Sequence, residues 1–275
     1  MFPTRLEIIP SEGIVEKVTA AVPLGTTLTI TCLPQHGVGR TMRAAVRLAE
    51  LGYPVVPHLA ARALQDRPQL VGILRECDAA GIREVFAIGG DSPRAAGSYG
   101  TAGELMEDIA QYSGGGISIG VAGYPEGHPS VVGIELLDAL LAKQHLASRV
   151  VTQMCFSAPK IVDYVGLLRR EGVELPVWAG VAGAVPRTRL VALGTQIGVG
   201  ASLKFLSRKG PLARRLLSGE RYQPATLISE LAEHPDRVAG IHFYTFNHLN
   251  AVAGEPTPPS GPATTELVSV PGGAE

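Results

Sequence analysis

The sequence contains few of the features that mark secreted, membrane-bound or nucleic-acid-binding proteins. It has only three cysteines, which are scattered and form no CxxC pair, so we expect reduced thiols and a cytoplasmic protein. No apolar run approaches the ~18 residues that a membrane helix requires, and the first residues do not resemble a signal peptide. The formal net charge is −1, which gives no indication of a polyanionic partner.

Several catalytic and binding motifs are also missing. The basic residues between 208 and 215 form a short run that is typical of a solvated helix face, so we predict no nucleic-acid partner. His58 and His128 have no closely spaced His or Cys companion, and we predict no metal site. There is no G-x-S-x-G elbow and no G-x-G-x-x-G after the first predicted strand, which argues against a serine hydrolase and a Rossmann site.

The sequence does contain a regular alternation of apolar runs and amphipathic stretches. Eight runs are almost continuously apolar, which is typical of parallel strands covered on both faces. They lie at 6–9, 27–32, 55–60, 84–90, 117–124, 149–156, 176–182 and 240–246. Helical patterns lie between them at 41–51, 68–80, 130–146, 157–170, 186–196 and 224–233, with a further helix-like stretch at about 199–208.

This alternation predicts an α/β protein, a single-domain (β/α)8 TIM barrel over residues 1–253. An open doubly wound sheet is the alternative, but eight units within 275 residues favour closure. The segment 254–275 is rich in Pro, Gly, Ser and Thr, and we expect it to be a disordered tail.

In such a barrel the active site lies at the carboxyl ends of the strands. Polar residues follow or end most of the predicted strands: Glu7, Thr31, His58, Asp91, Tyr124, Glu126, His128, Gln153, Asn247 and His248. Glu7 lies inside an apolar strand, where an unpaired carboxylate is costly, so it is either a general acid or the partner of a barrel Arg or Lys. Asp91 follows two glycines, and it either faces a flat ligand or caps a turn.

The motifs at these positions resemble the methylenetetrahydrofolate reductase family. The strongest is GVAGYPEGHP (120–129), which is similar to the family's A-Y-P-E-x-H-P. Six weaker motifs occur in family order over residues 5–250: LEIIPSEG, ITC, PHL, GGD, VVTQMCF and HFYTFN. Any one of them is weak evidence, but together they are specific.

The resemblance implies a barrel that binds FAD, takes hydride from NADH or NADPH, and reduces 5,10-methylenetetrahydrofolate to 5-methyltetrahydrofolate. By position, Glu7 matches the acid that protonates the folate, Asp91 an aspartate that supports developing positive charge, and Gln153 a glutamine that binds the pterin. His248 stands at a further substrate position. The positions that match cofactor contacts are Thr31, His58, Gly90, Asp91, Tyr124, His128 and Lys143.

Several positions depart from the family pattern. Gly89 replaces an arginine, Arg187 stands near the place of a phenylalanine, and His248 replaces another arginine. The predicted helix after strand five is mostly apolar where the family has FAD-binding polar residues. Either FAD binds through other cations, for which the candidates are Arg40, Arg62 and Arg94, or hydride passes directly from the nicotinamide to the folate.

Two further hypotheses are compatible with these departures: an enzyme of the same fold that acts on another one-carbon donor, and a folate- or flavin-binding sensor. A homo-oligomer is compatible with the sequence, which contains no signal that fixes the number of subunits.

Overall fold

The computed structural model of the protein describes residues 2–128, 131–186, 190 and 222–249. Eight parallel strands pair in chain order, and the last pairs with the first to close a barrel. The strands are β1 Thr4–Ile8, β2 Thr27–Ile30, β3 Val55–Ala60, β4 Glu84–Ile88, β5 Ser118–Gly123, β6 Arg149–Thr152, β7 Val177–Ala182 and β8 Gly240–Tyr244. The predicted eight-stranded α/β barrel is therefore confirmed.

The strands read as continuous apolar runs because both of their faces are covered. All six residues of β3 are buried, with one set directed into the barrel and the alternate set directed towards the surrounding helices. Most of the apolar core lies between the strands and the helices. A second, smaller cluster covers the carboxyl ends of β6 to β8, where Phe156 and Tyr222 meet edge to face.

Seven α-helices occur in the described residues. They are α1 Ile14–Ala21, α2 Gly37–Glu50, α3 Arg67–Ala79, α4 Ala102–Ser113, α5 Gly133–Lys143, α6 Ala158–Arg170 and α7 Ala225–Ala232. Five of them, α2, α3, α5, α6 and α7, lie where the apolar periodicity predicts helices. The predicted stretches 186–196 and 199–208 and the predicted tail 254–275 lie outside the described residues, apart from 186 and 190.

Two helices were missed by the periodicity, and α2 begins four residues earlier than predicted. Helix α1 begins after Gly13, which makes no side-chain cap hydrogen bond, so no start signal marks it in the sequence. Helix α4 begins with a capping box, in which the Thr101 hydroxyl accepts from the Glu104 N–H and the Glu104 carboxylate accepts from the Thr101 N–H. The T-x-x-E spacing was visible in the sequence and is a known start signal.

A buried charge network fills the amino-terminal end of the barrel. Arg5 of β1 reaches across the interior to Glu84 of β4, with Nη2 donating to Oε2 at 3.1 Å. Arg149 of β6 lies on the same carboxylate, with its Nε 3.1 Å from Oε1. The Arg5 guanidinium also stacks 4.4 Å from the centre of the Trp178 ring. One carboxylate therefore neutralises two mostly buried guanidinium groups.

We expect Glu84→Gln to lower the free energy of unfolding by about 3–5 kcal/mol, because it leaves two enclosed cations without a counter-ion. Chemical denaturation monitored by circular dichroism measures this loss. Asp78→Asn is the control, since it breaks a pair with Arg83 whose side chains are 75% and 60% exposed and should change stability far less. Equal losses in the two variants would contradict the assigned role of Glu84.

Candidate active site

A carboxylate stands inside the barrel, near the carboxyl ends of the strands. Glu7 is the fourth of the five residues of β1, and its side chain is 13% exposed. It points into the interior, since it meets His58 of β3 and His242 of β8. The Nε2 atom of His242 lies 3.0 Å from Glu7 Oε2, and the Nε2 atom of His58 lies 3.7 Å from the same oxygen.

These contacts identify the neighbours of Glu7, for which the sequence left two interpretations open. Among the described residues the ion-pair partners of Glu7 are histidines and not an Arg or Lys, and Arg5 of the same strand is paired with Glu84. The distance to His242 is that of a hydrogen bond, and the distance to His58 is too long for one. Glu7 is thus a carboxyl group held against two enclosed imidazoles.

His58 is neutral at physiological pH. Burial is the largest cause that lowers the pKa of its imidazole, the Glu7 carboxylate opposes it, and His242 adds to it, so that the pKa is lowered to about 4. Its ring packs against Phe86, with the ring centres 4.7 Å apart. His58, which was predicted to contact the cofactor, lies inside the barrel beside the carboxyl group of Glu7.

Tyr244 stands one layer above His242 on the same face of β8. Its ring centre is 5.0 Å from that of His242, and its hydroxyl donates to the Thr152 carbonyl at 3.0 Å. Burial raises the pKa of Tyr244 well above its usual value, and the charge of Glu7 adds to this effect, so the phenol stays protonated. Gly180 leaves the necessary space, since a Cβ there would lie 2.2 Å from the Thr152 carbonyl.

Sequence reasoning did not select His242 or Tyr244 as site residues. Both belong to the HFYTFN motif, and they alternate along β8 as residues of one face do. In the register of the barrel Glu7 pairs with Tyr244. The motif could therefore have indicated His242 and Tyr244 as neighbours of Glu7, but only if the pairing of β1 with β8 had been known.

Asn247 fixes the end of β8 to the end of β1. Its side-chain oxygen accepts from the Ile9 N–H at 2.8 Å, and its amide nitrogen donates to the Ile9 carbonyl at 3.0 Å. Thr245 adds a hydrogen bond to the Glu7 carbonyl at 2.5 Å. Asn247 has a positive φ of 63°, which asparagine tolerates better than most residues. Asn247 therefore holds the backbone of Ile9, and Thr245 holds that of Glu7.

The ends of β4 and β5 bring three predicted residues to one side of the mouth. Asp91 is exposed, and its charge, together with burial as the larger cause, raises the pKa of Tyr124. The Tyr124 and His128 rings meet edge to face at 5.3 Å. Glu126, in the same segment, is paired with Lys160 of α6.

The loop that carries Asp91 is fastened to the loop after β3. The Arg62 guanidinium donates to the carbonyls of Ser92 and Gly100, each at 3.2 Å. Gly97 presses against Gln65, since a Cβ on Gly97 would lie 1.6 Å from the Gln65 carbonyl oxygen. Arg62 is thus committed to loop structure, although it was one of the cations considered for FAD.

The other predicted residues are more scattered. Thr31 is buried, and its hydroxyl has no hydrogen-bond partner among the described residues. Gln153 is half-buried at the end of β6, and His248 is half-buried beyond β8. Lys143 ends α5, six residues before β6 begins, so it lies towards the amino-terminal end of the barrel. Burial lowers the pKa of Lys143.

The remaining arginines and helix α5 were considered as possible contacts for FAD. Arg40 and Arg94 are exposed, and Arg187 lies outside the described residues. At the start of α5 the side chains of Val132 and Ile134 are largely exposed. The described residues therefore gather ring-binding groups near β2 to β5 but no cluster of cations beside them.

A sequence profile of the methylenetetrahydrofolate reductase family matches residues 13–254. The chain belongs to this family. The matched range begins after β1 and does not include Glu7. The place of Glu7 in the barrel is given by the pairing of β1 with β2 and β8. No group of three or more potential metal ligands occurs in the described part of the chain, and no described helix has the length and apolar character needed to span a bilayer.

Similar proteins are found among fungal and plant enzymes. Methylenetetrahydrofolate reductase 2 of Saccharomyces cerevisiae is 30% identical over 112 residues, which are 37% of this chain and 19% of the yeast protein. Methylenetetrahydrofolate reductase 1 of Schizosaccharomyces pombe is 24% identical over 189 residues, 65% of this chain and 31% of that protein. Methylenetetrahydrofolate reductase (NADH) 1 of Arabidopsis thaliana is 29% identical over 119 residues, 37% of this chain and 20% of that protein. The matches span about a fifth to a third of these relatives.

A solved structure of similar fold is oxaloacetate acetylhydrolase. Its TM-score is 0.54 at 9% identity, and the match covers 90% of this chain and 76% of that one. At this identity the likeness concerns the barrel fold alone.

We expect Gly90→Ala to weaken the site by distorting the turn that carries Asp91. Gly90 has a φ of +89°, and a Cβ there would lie 3.1 Å from Ala60 Cβ, so we expect a loss of about 1–3 kcal/mol in stability. Chemical denaturation and ligand titration measure the two effects. Gly89→Ala is the matched control, because a Cβ at Gly89 meets nothing within 4 Å. Indistinguishable variants would show that the turn is not constrained at Gly90.

Proposed function

We propose that the protein reduces 5,10-methylenetetrahydrofolate to 5-methyltetrahydrofolate with hydride from NADH or NADPH. The family membership supports this substrate class, and the names of the similar fungal and plant proteins agree with it. The observation that carries the proposal is the carboxyl group of Glu7, enclosed in the barrel beside two imidazoles. A carboxyl group positioned in this way can serve as a general acid.

In the proposed reaction, Glu7 gives a proton to N10 of the folate as the bond between the methylene carbon and N10 breaks. The N5 iminium that results accepts hydride at the methylene carbon, so one proton and one hydride are consumed in each turnover. Glu7 then regains its proton from solvent. Proton transfer by a positioned acid typically contributes about 10²–10⁴-fold to a rate.

The residues on the β4–β6 side of the mouth serve to bind and orient. The exposed carboxylate of Asp91 can stabilise the positive charge that develops on the folate. Gln153, at the end of β6, offers an amide that can donate to and accept from the pterin. Tyr124 stays a neutral phenol and, with His128, offers ring surface for a flat ligand. Hydride transfer requires this kind of close stacking.

FAD is the cofactor that the family resemblance implies, and the described residues fit only part of it. Thr31, with its unpartnered hydroxyl, and the aromatic pair at the end of β5 suit a redox-active ring. A pyrophosphate needs charge-assisted contacts, but Gly89 replaces the expected arginine, Arg62 is bound to two carbonyls, and Lys143 lies towards the other end of the barrel.

These contacts favour a second route, in which the reduced nicotinamide passes hydride directly to the folate. The same ring-binding groups would then hold the nicotinamide. The FAD route instead requires the exposed Arg40 and Arg94 to supply the missing cations. The acid role of Glu7 is the same in both routes.

We expect Glu7→Gln to reduce kcat for the folate by about 10²–10⁴-fold while nicotinamide binding is kept, since only the acid proton is removed. Stopped-flow absorbance and a fluorescence titration with NADH or NADPH measure the two quantities. Glu16→Gln, at an exposed position of α1, should leave both unchanged. Normal folate turnover by Glu7→Gln would refute the acid role.

We expect the freshly purified protein to show little flavin absorbance and still to oxidise NADH or NADPH when 5,10-methylenetetrahydrofolate is added. Anaerobic visible spectra before and after addition of the nicotinamide test this directly. Flavin bands that bleach on addition would establish the FAD route instead. A colourless protein without folate turnover would count against the reductase and favour another one-carbon donor or a sensor.

A further inference from the structure

The two histidines beside Glu7 approach the same oxygen of its carboxyl group. His242 Nε2 lies 3.0 Å from Oε2, and His58 Nε2 lies 3.7 Å from it. Among the described residues no hydrogen bond reaches Oε1. The two oxygens of the carboxyl group are therefore unequal.

The surroundings of His242 indicate which of its nitrogens carries the hydrogen. Its Nδ1 atom is buried and has no hydrogen-bond partner in the described part of the structure. A buried N–H without an acceptor is rarer in proteins than an acceptor that lacks a donor. The hydrogen is thus placed on Nε2, from which it is donated to Glu7 Oε2.

The other groups around His242 do not compete for this hydrogen bond. Tyr244, on the same strand, directs its hydroxyl to the Thr152 carbonyl. His58, from β3, is neutral and too far from Oε2 to bond with it. Arg5, the register partner of His242 on β1, is directed to Glu84. The side chain of His242 is only 3% exposed, so the contact is largely shielded from solvent.

We propose that His242 is a positioning residue that occupies Oε2 of Glu7, so that the acid proton is carried on Oε1 and delivered to the folate from there. This assignment rests on the proposed function for the identity of the proton acceptor, but the contact itself does not. After the proton has left, the same N–H continues to stabilise the carboxylate.

The protein without any substitution provides the first test. A nitrogen–proton correlation spectrum of histidine side chains at neutral pH reports the tautomer of each neutral ring. We expect the ring assigned to His242, identified by its loss in His242→Gln, to be protonated at Nε2 and not at Nδ1. The opposite tautomer would overturn the proposal, whether or not the protein reduces folate.

Infrared spectroscopy provides the second test, at an acidic pH at which Glu7 is protonated. Its C=O band is identified by its absence in Glu7→Gln. A C=O group that accepts a hydrogen bond absorbs at lower frequency than one that does not, so the band should move up in His242→Phe. His242→Gln, which keeps a donor near the position of Nε2, should leave the band close to that of the unmodified protein. An unmoved band in His242→Phe would contradict the proposed contact.

Steady-state kinetics separates positioning from a merely structural role. We expect His242→Phe to lower kcat for the folate by up to about 100-fold, with KM little changed, and His242→Gln to restore most of the loss. His234→Phe, at an exposed position after α7, controls for the change of residue type. Equal losses in the Phe and Gln variants would overturn positioning. If the unmodified protein reduces no folate while the infrared band still shifts, the proposed function fails and the contact between His242 and Glu7 is supported.

Discussion

The pairing of β8 with β1 is the constraint on which the rest of the structure depends. It closes the barrel, and it also brings the first strand, with Glu7, against a strand more than 230 residues later in the chain. The Thr245 and Asn247 side chains reinforce the closure through hydrogen bonds to the backbone of Glu7 and Ile9. The same interaction that completes the fold therefore sets the position of the proposed acid.

The interior of the barrel is polar in two separate layers with different charge chemistry. At the amino-terminal end Glu84 is neutralised by two guanidinium groups, which commits its carboxylate to structure. Nearer the mouth the ion-pair partners of Glu7 among the described residues are two imidazoles, and one of these is held neutral chiefly by burial. Two glutamates in one barrel thus have different surroundings, since one is paired with cations and the other is held against imidazoles.

The fold could be predicted from the sequence to a large extent because each strand is buried on both faces and each gives a continuous apolar run. The ends of elements were less predictable, as the short α1 and the capped start of α4 show. Of the candidate site, the strand-end rule selected Glu7 and the group around Asp91, and these assignments remain predictions. It could not reveal the partners of Glu7, because His242 is a neighbour only through barrel closure, and it could not show that Arg62 is committed to backbone carbonyls.

The contact between Gly97 and Gln65 ties two loops of the mouth into one body. There is no room for even a methyl group between them, and Arg62 is bonded across to the Ser92 carbonyl, so the two loops pack directly against each other. A change in one of these loops that alters the surroundings of Asp91 would therefore have to be matched by a change in the other loop. The structural unit at this side of the mouth is therefore a pair of loops rather than a single strand-to-helix connection.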